Sequence, residues 1–357
     1  MIAPPRVRIL HETNPRKYFP ALYALHEQGR IKLTGEHRIS VCKEWLRAGL
    51  RDRAPLKHRT RNALADARFR AIQHRIKDEI VVMGFAPWDT RLLWYQGLAA
   101  RNRVVYHTSW PDWRPHNTPR QPPLIGSFMR RRWRRFLAHP NVTSVAVLDA
   151  VADALTTQMQ TPSQVIPHAV PDLFFAQSPA RKAAPLRLLF VGELSEKKGL
   201  PQALALIERF PADSASLTVI GRGPLEGRLP ERVRYLGALD DRAALAHEMA
   251  SHDVLLCLSQ RTATWQELFG IVIAEALASG CGVIASNHTG PSAILGDAPG
   301  LVDEHDQSHV AAMLQEFITN PSKLATFRAA QTPRAAPFAL PQVAARWDAL
   351  FQDLADG

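Results

Sequence analysis

The sequence predicts an α/β protein with two doubly wound, Rossmann-like domains that face a cleft. First, its 357 residues exceed what one ordinary hydrophobic core accommodates. Second, apolar residues make up 46% and charged residues 22%, a balance typical of folded globular proteins that excludes a disordered chain. Third, short apolar runs alternate with stretches of helical periodicity, and this alternation is typical of βαβ units with a parallel sheet.

The first half of the chain begins this alternation. Short apolar runs are typical of buried strands, and the longer amphipathic stretches between them predict crossover helices. We expect an N-terminal domain over residues 1–168. Its expected strands are Val7–Leu10, Glu79–Gly84, Val104–His107 and Thr143–Leu148, and its expected helices are Phe19–Gln28, Arg61–Lys77, Thr90–Ala100 and Pro123–Ala138.

The second half alternates more regularly, starting with the apolar run Leu186–Gly192. The Pro-containing segment before it lacks periodicity and predicts a linker over residues 169–185, followed by a C-terminal domain over residues 186–335. For a last helix over residues 336–357, packing against the N-terminal domain is one option. The other expected strands are Leu217–Ile220, Val233–Gly237, Asp253–Leu258 and Gly282–Ser286, and the expected helices are Leu200–Phe210, Asp241–Ser251 and Gly270–Ser279.

Charge is distributed unevenly along the chain. Residues 1–180 hold 28 Lys and Arg against 13 Asp and Glu, whereas residues 181–357 hold 16 against 20, within a net charge of +11. A basic half predicts an anionic partner, which could be nucleic acid, an anionic membrane surface or a phosphorylated acceptor. The alternative is a generally Arg-rich proteome, in which this charge has no specific partner.

Cysteine content and hydropathy exclude several classes of protein. The three cysteines, Cys42, Cys257 and Cys281, include no close pair, which excludes a disulfide framework and a four-thiolate zinc site and favours a reducing compartment. No apolar window reaches the roughly 18 to 20 residues of a transmembrane helix. The start MIAPPRVRIL lacks the pattern of a secretory signal, so we expect a cytoplasmic protein.

Two glutamates, Glu267 and Glu275, enclose the most informative segment, Glu-Leu-Phe-Gly-Ile-Val-Ile-Ala-Glu. Eight residues of helix span about 12 Å, more than the roughly 5 to 9.5 Å that separates the carboxyl groups of a glycosidase pair. We therefore expect Glu267 in a loop before a helix and Glu275 inside that helix. The helix N-terminus at Gly270–Val272 then offers unpaired amides to an anion. The alternative is an amphipathic helix with two solvated glutamates.

Two glycine turns follow expected strands in the same half. Lys198 lies at the start of a helix after the Gly192 turn, where its ammonium group could lie over a bound phosphate; an ordinary surface lysine is the alternative. The Gly-Arg-Gly-Pro turn at residues 221–224 is similar to a shortened nucleotide-binding fingerprint.

Together these segments resemble the C-terminal domain of the GT-B glycosyltransferases, in particular the retaining family 4 enzymes that use nucleotide sugars. The resemblance covers residues 186 to about 303. It rests on the Gly-x-Leu-x-x-x-Lys-Gly block at 192–199, the Gly-x-Gly-Pro turn at 221–224 and the Glu-x7-Glu element at 267–275. It implies a GT-B arrangement of the two predicted domains.

The resemblance implies a UDP- or GDP-sugar as donor substrate, with no metal and no other cofactor. Glu275 is expected to hydrogen-bond the ribose hydroxyls, and Glu267 to lie by the hydroxyls of the donor sugar. Lys198 and the amides of the helix N-terminus are expected to hold the diphosphate, whose negative charge grows in the transition state. The implied donor-binding residues are Gly192, Lys198, Gly221, Arg222, Gly223, Glu267, Phe269, Gly270, Ile271, Val272 and Glu275, with Lys198 and Glu267 also implied in catalysis.

His107 ends an expected strand of the N-terminal domain, where the resemblance implies a histidine that reaches the donor sugar and the transferring centre. Such an imidazole could donate a hydrogen bond to a sugar hydroxyl or relay the proton of the acceptor. The alternative is a cleft-lining histidine without a role. The family commonly has asparagine where this chain has His168. Candidate residues on the acceptor side are Glu12, Asn14 and Asp112.

Glu193 departs from the family pattern, which usually has arginine five residues before Lys198. A carboxylate there repels a diphosphate unless it points away or pairs with Arg222 or Lys197. An inactive relative that binds a nucleotide sugar without transferring it is therefore an alternative function.

Residues 128–137 combine five arginines with an apolar helical face. A basic amphipathic helix suits an anionic bilayer surface. The alternative is an ordinary domain helix whose apolar face packs on the sheet. The apolar residues are Phe128, Met129, Trp133, Phe136 and Leu137.

The sequence therefore predicts a retaining glycosyltransferase that moves a sugar from a nucleotide sugar to a saccharide or lipid-linked acceptor, in surface polysaccharide or glycolipid synthesis. Peripheral attachment of the basic domain to an anionic membrane surface, at the inner face of the cell membrane, is an option. A basic nucleic-acid-binding protein is the alternative from another class. We do not expect nucleic acid as a partner, because the basic charge is confined to one half and the other half carries the phosphate site.

Overall fold

The computed structural model describes residues 3–12, 15–38, 56–114, 123–176, 185–263 and 265–356. Its contacts divide the chain into two units. Unit 1 comprises Met1–Ala169 together with Val343–Gly357, and unit 2 comprises Val170–Gln342. Each unit contains a six-stranded sheet with helices between its strands, which agrees with the predicted α/β fold class. Residues 177–184 of the predicted linker lie outside the described residues.

In unit 1 every pair of neighbouring strands is parallel. The strands are β1 (Arg6–His11), β2 (Lys32–Arg38), β3 (Ile80–Gly84), β4 (Arg103–Thr108), β5 (Val142–Ala146) and β6 (Ser163–Val165), and the helices are α1 (Pro15–Tyr18), α2 (Pro20–Glu27), α3 (Leu56–Ile72), α4 (Leu92–Tyr95), α5 (Pro123–Leu137) and α6 (Asp149–Met159). The order β2-β1-β3-β4-β5-β6 reverses direction between β1 and β3. Ligands of doubly wound sheets bind at such a switch point, beyond the carboxyl ends of the strands.

Two edge strands of this sheet, β2 and β6, have no counterpart in the sequence prediction. The seven residues of β2 are all partly or fully exposed, so the strand lacks the apolar run that marks a central strand. β6 is only three residues long. Edge strands pair on one side only, and their sequences carry correspondingly little of the burial signal.

The apolar face of α5 packs inside unit 1. Trp133 is completely buried, with its ring centroid 5.2 Å from that of Tyr106 and 5.5 Å from that of Phe85. Its indole N–H donates to the Asp89 carbonyl oxygen at 3.2 Å. Met129, Phe136 and Leu137 are buried as well, whereas Phe128 is 45% exposed. The idea that this whole apolar face is available to a bilayer is therefore wrong, because four of its five residues belong to the core.

In unit 2 the strand pairs are again all parallel. The strands are β7 (Leu186–Val191), β8 (Ala215–Ile220), β9 (Arg234–Tyr235), β10 (Val254–Cys257), β11 (Gly282–Ser286) and β12 (Leu301–Val302), and the helices are α7 (Leu200–Ile207), α8 (Arg242–Ser251), α9 (Ile271–Ala278), α10 (Thr289–Leu295), α11 (Gln307–Thr319) and α12 (Pro321–Gln331). The order β12-β11-β10-β7-β8-β9 places the switch point between β7 and β10. Both Lys198 and Glu267 follow one of these two strands in the chain.

The core of unit 2 lies between its sheet and helices. Leu188, Val219 and Ile284 come from three different strands and are completely buried in one apolar cluster, together with Leu200 of α7 and Leu314 of α11. Strands buried on both faces read as continuous apolar runs. This explains why the sequence predicts both ends of β7, β8, β10 and β11 to within two residues.

The last helix, α13 (Leu340–Asp356), brings the end of the chain to unit 1. Trp347 is buried, with its ring centroid 6.0 Å from that of Phe19 and 5.8 Å from that of His107. Arg30 also forms an ion pair with Asp348. Among the described residues, no helix combines the length and the apolar character needed to cross a membrane.

Candidate donor site

The loops after β7 and β8 lie against each other at the carboxyl edge of the unit 2 sheet. The Gly192 amide donates to the Ile220 carbonyl oxygen at 3.0 Å. The Leu194 amide donates to the Arg222 carbonyl oxygen, also at 3.0 Å. A Cβ atom on Gly221, whose φ is +140°, would lie 1.8 Å from the Gly192 carbonyl oxygen. Glycine at position 221 is therefore required by the close approach of two backbones.

Charged side chains flank this pair of loops. Arg222 is exposed, and a Cβ atom on the following Gly223 would approach the Leu194 backbone to 2.5 Å. Glu193 forms an ion pair with Lys197, with 2.7 Å between Oε2 and Nζ. Glu193, which departs from the family pattern, is thus paired with Lys197, one of the two partners that the sequence analysis considers.

Lys198 ends a 3-10 turn, Glu196–Lys198, that precedes α7. The next residue, Gly199, has φ +76°, and a Cβ atom there would lie 1.8 Å from the Leu258 carbonyl oxygen. The backbone of this turn therefore lies close against the residue that follows β10, and only glycine fits there. The Lys198 ammonium group lies 2.5 Å from Glu267 Oε2 and 5.0 Å from the centroid of the Trp265 ring. The sequence-predicted cation and carboxylate are therefore direct neighbours.

Glu267 is held by its backbone as well as by its side chain. Its amide donates to His288 Nδ1 at 3.1 Å, and its carbonyl oxygen accepts from the Gly290 amide at 3.1 Å. Ser259 Oγ lies 3.4 Å from Glu267 Oε2. Glu267 is buried to 9% exposure in a loop before α9, which is where the spacing argument expects it.

The N-terminus of α9 follows this loop. Gly270 is the N-cap residue, with φ 72° and ψ 53° in the left-handed region, and its carbonyl oxygen accepts from Ile273 at 2.8 Å. The amides of the first turn of a helix have no acceptor within that helix, so they are available to an anion. Phe269 is buried, and its ring centroid lies 5.8 Å from that of Phe338. Its side chain thus belongs to the core, while its backbone borders the helix N-terminus.

Glu275 lies in the middle of α9 with 2% exposure. Arg242, the first residue of α8, donates through Nη2 to Glu275 Oε1. The central carbon of the Arg242 guanidinium group lies 4.7 Å from the centroid of the Phe174 ring. The alternative of a solvated glutamate is therefore wrong for Glu275, the expected ribose-binding carboxylate. Glu275 instead has an arginine partner that the sequence pattern does not reveal.

Unit 1 has a cavity of about 120 Å³ at its switch point, beyond β1, β3 and β4. His107 and Glu12 line it, together with residues absent from the sequence-based candidates: His11, Tyr18, Gly84, Phe85, Thr108, Ser109, Trp110 and His168. Glu12 pairs with Arg91 at 2.6 Å. Asp112 lies outside this lining and pairs with Arg114 at 2.7 Å. Asn14 lies outside the described residues.

Two histidines of this cavity, His107 and His168, are held in the neutral form. Burial lowers the pKa of His107 well below its usual value, and the neighbouring His168 and His11 lower it further. Burial likewise lowers the pKa of His168 to about 4, although a hydrogen bond to the Tyr18 carbonyl oxygen opposes the shift. The His107 ring also donates to the Ile166 carbonyl oxygen, so its other nitrogen carries a lone pair.

Four residues of the donor side escape the sequence analysis: Arg242, Trp265, His288 and Glu304. His288 offers a signal, since it lies two residues beyond the expected strand Gly282–Ser286, at the edge where ligands bind. Arg242 and Glu304 carry none, because a surface arginine at a helix start and a loop glutamate are common in any sequence.

Comparison with known proteins identifies the second half of the chain. Residues 174–332 match the family model described as Glycosyl transferases group 1. The phosphatidyl-myo-inositol mannosyltransferase of Mycolicibacterium smegmatis is 35% identical over 165 residues, which are 42% of this chain and 41% of that protein. The enzyme of the same name from Propionibacterium freudenreichii is 34% identical over 116 residues, 32% of this chain and 29% of that protein. The chain thus spans about two fifths or less of the length of these relatives.

Solved structures are similar over nearly the whole chain. Anabaena Alr3699/HepE, in complex with UDP and glucose, has a TM-score of 0.67 at 17% identity and covers 98% of this chain and 99% of its own. WaaG, a glycosyltransferase involved in lipopolysaccharide biosynthesis, has a TM-score of 0.65 at 15% identity and covers 97% and 99%. At such identities the likeness shows the fold. The GT-B fold predicted from the sequence is confirmed, and so is the resemblance to the family 4-like enzymes. Residues 174–332 therefore match the glycosyl transferases group 1 family, in a chain that has the GT-B fold.

Proposed function

We propose that this chain is a retaining glycosyltransferase that moves a sugar from a nucleotide sugar to a saccharide or lipid-linked acceptor. One observation carries the proposal. At the switch point of unit 2, Lys198 and Glu267 form a pair at 2.5 Å, and α9 of the same unit starts four residues after Glu267. A cation, a carboxylate and a helix N-terminus are the groups needed to bind a diphosphate and a sugar hydroxyl together.

In the proposed complex, the Glu275 carboxylate accepts hydrogen bonds from the ribose hydroxyls beside its ion pair with Arg242. The diphosphate lies against the amides of Gly270, Ile271 and Val272. Charge-assisted hydrogen bonds of this kind are the strong ones in proteins. Gly192 and the turn at 221–224 line the same edge, where the exposed Arg222 adds positive charge.

Lys198 has two roles in this proposal. Before the donor binds, its ammonium group neutralises Glu267, which would otherwise repel the diphosphate. As the bond between the sugar and the diphosphate breaks, negative charge grows on the leaving group, and a preorganised cation with helix amides stabilises that charge most in the transition state. The charge is carried by groups of this chain, so we propose that the transfer draws on no metal ion or other cofactor.

The cavity of unit 1 is the proposed site of a sugar hydroxyl. His107 is neutral, and one of its nitrogens is a hydrogen-bond acceptor. Such an imidazole can accept a hydrogen bond from a hydroxyl group at pH 7. Glu12 lines the same cavity and is the proposed acceptor-side contact.

The names of the similar proteins favour a lipid-linked acceptor. One relative is a phosphatidyl-myo-inositol mannosyltransferase, and WaaG is involved in lipopolysaccharide biosynthesis. We propose a place in glycolipid or surface polysaccharide synthesis. The UDP found with Anabaena Alr3699/HepE favours UDP over GDP as the donor nucleotide.

We further propose that α5 contacts an anionic membrane surface, on the cytoplasmic side of the cell membrane. Its outer face exposes Arg131, Arg134 and Arg135, and Ile125 and Phe128 are each 45% exposed. This outer face, rather than the buried Trp133 face, supplies both charge and apolar contact. Each arginine near an anionic surface contributes on the order of 1 kcal/mol.

The test is incubation of the protein with a panel of nucleotide sugars, with and without glycolipid acceptors, followed by NMR of the product. Transfer with the α configuration preserved from an α-linked donor supports the proposal. Inversion at the anomeric carbon contradicts the retaining mechanism. Binding of a nucleotide sugar without hydrolysis or transfer points instead to the inactive relative, an alternative disfavoured by the pairing of Glu193 with Lys197.

A further inference from the structure

The buried His288 and the partly exposed Glu304 form a pair beside the backbone of Glu267. His288 Nε2 lies 2.8 Å from Glu304 Oε2, and His288 Nδ1 lies 3.1 Å from the Glu267 amide nitrogen. A backbone amide can only donate, so Nδ1 must be an acceptor without a proton. The proton of the neutral ring therefore resides on Nε2 and is donated to the Glu304 carboxylate. The two contacts define one tautomer of His288.

Glu304 fixes this arrangement from a third loop. Its Oε2 also accepts from the Arg261 amide at 2.6 Å, in the loop after β10. Burial raises the pKa of the Glu304 carboxyl, but the hydrogen bonds from His288 and from the Arg261 amide outweigh burial and lower it. An ionised Glu304 thus ties together the loops that follow β10, β11 and β12.

As a result, the backbone of Glu267 is hydrogen-bonded at both its amide and its carbonyl oxygen. His288 accepts from its amide, while the Gly290 amide, in the first turn of α10, donates to its carbonyl oxygen. His288 is only 1% exposed, so solvent does not compete for these bonds. From this fixed backbone, the side chain of Glu267 extends to Lys198.

We infer that His288 and Glu304 are positioning residues, which orient the Glu267 carboxylate toward the donor sugar through a single His288 tautomer. The inference rests on the proposed function, in which Glu267 contacts the sugar. It assigns no contact with substrate to either residue. Misplacement of a reacting group by about 1 Å can lower a rate by about 10²-fold.

Two substitutions separate the contacts of His288. His288→Asn places an amide oxygen near the position of Nδ1 and keeps an acceptor for the Glu267 amide, but it cannot reach Glu304. His288→Gln places its amide near Nε2 and keeps the bond to Glu304, but it leaves the Glu267 amide without its acceptor. We expect His288→Gln to lower kcat of donor turnover about tenfold to a hundredfold. His288→Asn is expected to stay within about threefold of the wild type, since the contact that positions Glu267 survives.

Glu304 provides a second, independent pair. Glu304→Ala removes the group that fixes the tautomer and is expected to lower kcat in the same direction as His288→Gln. Glu304→Gln keeps an acceptor oxygen for His288 and is expected to restore most of the lost kcat. In all four variants the affinity for the free nucleoside diphosphate, measured by calorimetry, should change less than twofold, because the sites at Glu275 and the α9 amides are untouched. A structural role alone would lower thermal stability without this split between kcat and nucleotide affinity.

The tautomer is measured without reference to activity. Two-bond ¹H–¹⁵N NMR of the wild type should show His288 with a protonated Nε2 and an unprotonated Nδ1, its signal assigned by its loss in His288→Gln. Glu304→Ala should show a mixture of tautomers, and Glu304→Gln should not. A wild-type ring protonated at Nδ1 overturns the inference.

The outcomes distinguish this inference from the proposed function. If the wild type turns over no nucleotide sugar, the proposed function fails and the inference falls with it. If the wild type is active and folded His288→Gln keeps wild-type kcat, only the inference is overturned. If His288→Gln does not fold, Glu304→Ala with its Glu304→Gln rescue decides the question by the same criteria.

Discussion

At the residue scale, adjacent lysines at positions 197 and 198 have different partners. Lys198 lies 2.5 Å from Glu267, whereas Lys197 lies 2.7 Å from Glu193. Only the first pair joins two elements of the switch point; the second is an i,i+4 pair with both side chains more than a third exposed. Exposed pairs of this kind contribute little to stability. The two lysines therefore serve as matched controls for each other.

We predict that Lys198→Ala lowers kcat about 10²- to 10³-fold, the usual effect of losing one preorganised charge contact in the transition state. Lys197→Ala should lower kcat less than about tenfold, because the Glu193 carboxylate that it leaves without Lys197 is exposed and screened by solvent. Steady-state rates of donor turnover measure both effects, with melting temperature to confirm that each variant folds. If Lys197→Ala loses the rate and Lys198→Ala keeps it, the assignment of the leaving-group cation is reversed.

We also predict that Glu275→Gln weakens binding of the nucleoside diphosphate. A charge-assisted hydrogen bond contributes about 1.5 to 3 kcal/mol, so the Kd measured by calorimetry should rise about 10- to 150-fold. The neutral amide also releases Arg242 from its ion pair. Glu316→Gln, on an exposed glutamate of α11, is the control that should leave Kd unchanged. An unaltered Kd for Glu275→Gln would remove this residue from the nucleotide site.

At the element scale, one side of α5 packs in the core of unit 1 and the other side faces solvent. Trp133 packs in the core, and the arginines of the opposite side face solvent. The five-arginine sequence pattern is compatible with either use of the helix, because the apolar residues alone do not say what covers them. Burial in unit 1 decides that question for Met129, Trp133, Phe136 and Leu137.

We predict that replacing Arg131, Arg134 and Arg135 together by Gln releases the protein from anionic vesicles while the melting temperature changes by less than about 2 °C, since these side chains are exposed. Trp133→Ala should instead lower the melting temperature, because loss of a buried tryptophan destabilises a protein by about 3 to 5 kcal/mol. Its effect on vesicle binding by the folded protein should be small. Co-sedimentation with vesicles at low and high salt measures the first effect, and salt should weaken it. A wild type that does not sediment with anionic vesicles at low salt contradicts the membrane proposal.

The turn before α7 offers a test of backbone geometry. Gly199 adopts φ +76°, and a Cβ there would lie 1.8 Å from a backbone oxygen of Leu258. We predict that Gly199→Ala destabilises by more than about 1 kcal/mol, from the left-handed conformation alone, and moves Lys198. Gly227→Ala is the matched control, since nothing lies within 4 Å of its added Cβ. Denaturant unfolding compares the two, and equal midpoints would show that the turn relaxes freely.

At the scale of the whole molecule, the neutral histidines link stability to pH. Burial lowers the pKa of His168 from 6.5 to about 4 in the folded state. Between these two values the unfolded chain binds a proton that the folded chain does not, so stability falls as pH falls through this window. His107 shifts in the same direction.

We therefore predict that the free energy of unfolding decreases from pH 7 to pH 4, by up to about 3 kcal/mol for His168 alone. His168→Asn, the residue that the family commonly has there, should flatten this dependence. His305→Asn, on a side chain that is 81% exposed, should leave the slope unchanged. Denaturant unfolding at several pH values measures the slope. The same steep slope in His168→Asn would show that other groups govern the acid response.

How well each strand is predicted depends on how much of it is buried, because burial produces the apolar runs that the sequence shows. Central strands such as β7 and β10 are buried on both faces, so their apolar runs predict them directly. The edge strand β2 and the short β12 have polar or very short sequences and are decided by the strand beside them. Helix α8 begins where its capping aspartate, Asp241, accepts from the Ala243 amide at 2.8 Å, a local signal that the sequence does contain.

The sequence by itself determined the elements of this protein and the chemistry at their ends: the two α/β halves, the glycine turns, Lys198, and the Glu-x7-Glu spacing that places Glu267 before α9 and Glu275 within it. These features depend on neighbouring residues, whose periodicity and spacing are visible along the chain. Only the tertiary structure decided the partners, because sheet order joins segments that are distant in sequence. Arg242 reaches Glu275 across 33 positions, and His288 reaches the Glu267 amide across 21. Burial of Trp133 is equally non-local, since its neighbours come from separate strands and loops.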